Sequence, residues 1–165
     1  MTNSLDLIFQ ATPPKERAEF DLGALTEKFR STMVTDWTIP QAFLCLLLSA
    51  AVADGNFSQE ERVEVQSLCL RSRALKAIGV NALAQVNAEV AQRLKERPKG
   101  LQEACESLPA DLRLPVFAHC VDIILSDGEL LQPEAEFLTK VTGYLGIPIA
   151  EAQRVMEVLL IKNRF

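Results

Sequence analysis

Apolar residues recur along this chain at intervals of three and four, the mark of helices with one face turned inward. Over residues 16–33 they fall at Ala18, Leu22, Leu25, Phe29 and Met33, which predicts a helix after the break at Pro13-Pro14. Thr38, with Gln41 three residues on and Pro40 in the first turn, predicts the start of the next. That segment, residues 40–53, has only Gln41 and Ser49 as clearly polar residues, so it belongs in the middle of the protein. Ser58 and Glu61 form a capping-box pattern for a helix carrying Val63, Val65, Leu68 and Cys69, broken around residues 71–79. Asn81 opens an amphipathic helix with Leu83, Val86, Val90 and Leu94 inward, ended by Pro98-Lys99-Gly100. A short helix around residues 101–107 follows, and then a mostly apolar one over residues 109–126. Phe137, Leu138, Val141 and Tyr144 mark another, closed by Leu145-Gly146-Ile147, and Pro148 starts the last. No stretch alternates with period two. The pattern predicts an all-α protein, a compact bundle of seven to eight helices, with residues 40–53 and 109–126 as its most buried pair.

Two of the junctions share one acidic turn. ADGNFSQEE occupies residues 53–61 and SDGELLQPE residues 126–134. Asp54 and Asp127 are 73 positions apart, and the same offset pairs Gly55 with Gly128, Phe57 with Leu130 and Glu61 with Glu134. Beyond the turn it pairs Val65 with Leu138 and Leu68 with Val141. This predicts an internal duplication. Residues 1–37 form an N-terminal extension and helix, and residues 38–165 a domain of two halves, about 38–80 and 109–162. The halves are unequal: the central helix of the second carries a polar stripe of His119, Asp122 and Ser126, and Ser49 stands where the offset would place Asp122's counterpart.

The turns invite comparison with a calcium loop. With Gly55 as the sixth loop residue, Asp54, Ser58 and Glu61 fall at the fifth, ninth and twelfth positions, but Ala50 and Val52 occupy the first and third. In the second copy Ile123 and Leu125 do the same. Calcium needs six to eight oxygens, so these are not EF-hands. Asp-Gly is also a good exit from a helix, and an acidic first turn suits the dipole of the next, which is a purely structural reading of both turns.

Composition narrows the classes. The chain is 48% hydrophobic and 24% charged, with a net charge of −5 and scattered Lys and Arg. That predicts a folded interior and no nucleic-acid groove. The N-terminus has no basic stretch followed by a long apolar core, and the longest uncharged apolar run, residues 42–53, is too short to span a bilayer. A cytoplasmic protein with no direct membrane insertion is expected. Cys45, Cys69, Cys105 and Cys120 lack C-x-x-C spacing, which predicts four buried, reduced thiols. His119 is the only histidine, so two-histidine metal motifs and the Glu-x-x-His pairs of di-iron bundles are excluded. Phosphate loops, nucleophile elbows and dinucleotide fingerprints are missing too, and no enzyme is expected.

The paired motif, above all DGELLQPEAEFLTKVTGYLGI over residues 127–147, resembles the TerB-like tellurite-resistance family. A related module forms the N-terminal part of membrane-anchored DnaJ-type co-chaperones. The resemblance covers residues 40–70 and 109–160. It implies a helical bundle, a place in tellurite or other chemical-stress responses, and a metal-binding role for acidic residues that map onto Asp54, Glu61, Asp127 and Glu134. Asp122 matches an acidic position one turn earlier. Two readings follow. In one, these five carboxylates hold at most one divalent cation (calcium, magnesium or manganese), no tighter than about millimolar if a single turn acts alone. In the other, the chain is a helical adaptor for another protein and the acidic turns are structural. Convergence of the turn carboxylates favours the first.

Overall fold

The computed structural model describes residues 36–164 apart from residue 77, so the helix expected over residues 16–33 lies outside it. The first described helix, α1 (Ile39–Ala51), starts as its sequence requires: Gln41 donates its backbone N–H to Thr38 Oγ1 at 3.4 Å, and Thr38 donates its own to Gln41 Oε1 at 3.2 Å. Nine of its thirteen residues are buried, including Leu44, Leu46 and Leu47. A helix this apolar is stable only when other helices surround it. Its main neighbours are α6 (Ala110–Ile124) and α5 (Gly100–Ser107), and α4 (Val80–Glu96) and α2 (Gln59–Arg71) also pack on it.

The short α3 (Arg73–Lys76) follows the break in α2 at Ser72. After α6 the chain tightens into a 3-10 turn (Leu125–Asp127), then forms α7 (Gln132–Leu145) and α8 (Ile149–Lys162), which both pack on α6. Among the described residues there are eight α-helices and no strand, and α1 and α6 supply the centre of the core. Phe43 and Phe117 are its largest fully buried side chains. All four cysteines are free and buried, and burial pushes the Cys45 and Cys105 thiols up to about 12, so they are inert packing groups at neutral pH.

Two long-range ties close the bundle. At the entry to α1, Arg97 grips Asp36 with both terminal nitrogens, at 2.7 and 2.8 Å, and its hydrogen bond holds the Asp36 carboxyl at about 2. Arg93 lies 5.0 Å above the buried Trp37 ring. Arg113 of α6 donates to the carbonyls of Leu108 and Leu145, tying the α5–α6 junction to the last turn of α7. Pro115 sits inside α6 but on its exposed side, where water can take the hydrogen bond that proline cannot offer.

The two central helices end earlier than their apolar runs, α1 at Ala51 and α6 at Ile124. The reason is the turn each must enter, because Gly55 and Gly128 donate back to Val52 and Leu125, both at 3.0 Å. α2 begins at Ser58, whose hydroxyl accepts the Glu61 N–H at 3.1 Å while Glu61 Oε2 accepts the Ser58 N–H at 2.8 Å. Replacing Ser58 with alanine should therefore cost about 1 kcal/mol in urea unfolding, with the slope unchanged. No loss would mean that the Glu61 half of the box is enough.

Candidate functional site

Each acidic turn is built from the same sequence of local contacts. Asp54 accepts the Asn56 N–H at 2.8 Å, and Asp127 accepts the Glu129 N–H at 3.1 Å, so both fold the chain over their own backbone. The glycines between them, Gly55 and Gly128, have φ of +89° and +87°, a left-handed conformation that a side chain would strain. Three residues after the next helix cap comes a buried glutamate, Glu61 at 5% exposure and Glu134 at 2%. Glu61 closes a full capping box with Ser58. Glu134 Oε2 accepts the Leu131 N–H at 2.6 Å, and leucine, having no acceptor, leaves this a half box. Sequence reasoning assigned Glu134 to a cation, yet a glutamate at the third position of a predicted helix was signal enough for a cap.

These contacts explain why Asp and Glu are seven residues apart twice. The aspartate fixes the glycine turn, the glutamate fixes the following helix start, and a loop of one length connects them. The spacing has a structural cause in each copy.

The turns are also electrostatic neighbours. α2 packs against the 3-10 turn, which carries Asp127. Burial raises the pKa of Glu134, the hydrogen bond from Leu131 pulls it back, and the charges of Asp127, Asp54 and Glu61 push it further up. Three of the five carboxylates singled out from the sequence, Asp54, Glu61 and Asp127, thus act on a fourth, Glu134. Around them Val52, Leu130 and Leu131 are exposed, alongside exposed Asp127 and Glu129.

Asp122 is placed elsewhere. Lys162 Nζ donates to its two oxygens at 2.7 and 2.8 Å, and Asn163 Nδ2 to one of them at 3.2 Å, so the last turn of α8 holds it. With His119, Glu64, Arg71, Arg73 and Lys162 it lines a polar cleft of about 370 Å³. No hydrogen bond joins His119 to Asp122 among the described residues. His119 instead meets the Phe43 ring edge-on at 5.8 Å, and burial lowers its pKa against the pull of Asp122 and Glu64. The sequence stripe of His119 and Asp122 is therefore a packing residue beside an ion pair.

Among the described residues, no three His, Cys, Asp or Glu side chains come together in a way that could hold a metal ion. Both Asp54 oxygens are engaged by Asn56, and Asp127, Glu61 and Glu134 each give an oxygen to a backbone N–H. As arranged, the donor set does not fit a chelated cation.

Residues 40–157 match the family model of tellurite resistance protein TerB. The chain belongs to the TerB family. The matched stretch contains both acidic turns and every described helix from α1 to most of α8. No curated protein and no solved structure matches the chain with significance. No helix among the described residues is long and apolar enough to cross a membrane.

Proposed function

We propose that this TerB-family chain is a non-enzymatic module of a tellurite-resistance-type stress response, and that it works by binding a protein partner at its paired acidic turns. One observation carries the reading: the charges of Asp54, Glu61 and Asp127 all reach Glu134, so the two acidic turns lie within electrostatic reach of each other, with Val52, Leu130 and Leu131 exposed beside them. A negative surface with apolar points on it suits a basic amphipathic segment, which brings opposite charge and a hydrophobic face together. A cytoplasmic setting accords with the four free thiols.

A second reading is favoured by the same field. The charges that raise the pKa of Glu134 also attract a cation, so calcium, magnesium or manganese can gather loosely beside these turns without being chelated. The two readings separate in one calorimetric comparison of the wild type with Asp54→Asn/Asp127→Asn. Asparagine keeps the side-chain acceptor that each turn needs, so the fold should survive. A synthetic helical peptide of lysine and leucine should bind the wild type and lose on the order of tenfold in affinity to the variant. Equal binding to both proteins, or none, would remove the peptide reading. Saturable heat with calcium or manganese that the variant lacks would put the cation in its place.

A further inference from the structure

The last helix exposes more apolar surface than its packing explains. Ile149 is 73% exposed, Val158 64% and Ile161 63%, while Ala152, Val155, Met156 and Leu159 of the same helix face the core. Ala150, Arg154, Glu157 and Ile161 are all exposed, and their spacing of four, three and four residues places them in one row opposite the buried face. Among the described residues, neither Arg154 nor Glu157 enters an ion pair.

This row is complementary to itself. When two such helices run antiparallel about a two-fold axis midway between residues 155 and 156, Arg154 of each faces Glu157 of the other. Ala150 then faces Ile161, whose side chain fits against the small residue, and the two Val158 side chains lie on the same flank. Every member of the row meets a complementary member of the same row, which is the requirement of an isologous interface. We infer that α8 is the surface through which two copies of this chain associate. One helix per copy buries less than the roughly 800 Å² per partner of a standard interface, so the dimer is weak and reversible, with a dissociation constant on the order of 100 µM. The inference goes beyond the partner-binding role of the acidic turns and can fail without touching it.

Sedimentation equilibrium from about 10 µM to about 1 mM tests it. The wild type should shift from monomer to dimer over that range. Glu157→Arg sets arginine against arginine twice and should weaken association by about tenfold or more. The swapped variant Arg154→Glu/Glu157→Arg restores opposite charges and should recover the dimer. All three proteins should keep the same helical circular dichroism, since both positions are solvent-facing. A wild type that stays monomeric throughout overturns the proposal and leaves α8 to a different partner. A swap that fails to recover what the single reversal lost also overturns it, and seats any dimer elsewhere.

Discussion

Truncating Phe117 to alanine should cost about 3–5 kcal/mol of folding stability, the largest single-residue loss expected in this protein. The ring is fully buried on α6, one of the two helices at the centre of the core, and it belongs to the same core cluster as Phe43. Removing it opens a cavity in that core, and the helices around it cannot collapse without losing their other contacts. Domains of this kind hold about 5–15 kcal/mol in total, so the variant should show a much lower urea midpoint and a depressed melting temperature. A loss below about 1 kcal/mol would mean that the core around Phe117 is far more plastic than close packing allows.

Glu134 should give the second-largest effect, and the sign depends on the replacement. Glu134→Ala removes the acceptor for the Leu131 N–H and empties a buried site, at a cost of about 1–3 kcal/mol. Glu134→Gln keeps an acceptor and removes the charge. Because burial and the neighbouring carboxylates raise the folded pKa above the unfolded one, this site's favourable contribution is complete below the unfolded pKa. It is lost as pH rises through the folded pKa. At neutral pH the glutamine variant should therefore match or exceed the wild type, and its stability should fall less between mildly acidic and neutral pH. Urea unfolding of all three proteins at both pH values checks this. If glutamine is as damaging as alanine at neutral pH, the ionised carboxylate itself holds the turn together.

The same residue shows how the site was legible in one respect and hidden in another. Asp54, Glu61, Asp127 and Glu134 stood out by spacing, and convergence of the two turns was the condition under which a cation was expected. Whether their oxygens were free to bind one depended on backbone N–H groups that spacing does not describe. The half box at Leu131 was harder to recognise because its cap has no acceptor, although Glu134 sat at the right position. Asp122 was misplaced for a different reason. It lies five residues from Asp127, but Lys162, forty residues away, takes its charge. Sequence nearness was the only guide, and a long-range cation decided the matter.

By itself the sequence determined that this protein is helical, where most of its helices start, that residues 40–53 and 109–126 lie at its centre, and that two turns share one design. These features depend on local chemistry: apolar periodicity, caps, glycines with positive φ and prolines in first turns act within four or five residues. The tertiary structure alone decided which carboxylates act on Glu134, that Asp122 belongs with α8, that Arg97 holds the entry to α1 and Arg113 the end of α7, and that α8 keeps an exposed row. Those depend on how helices far apart in the chain come to lie side by side, and a charge acts on whatever packing brings near it.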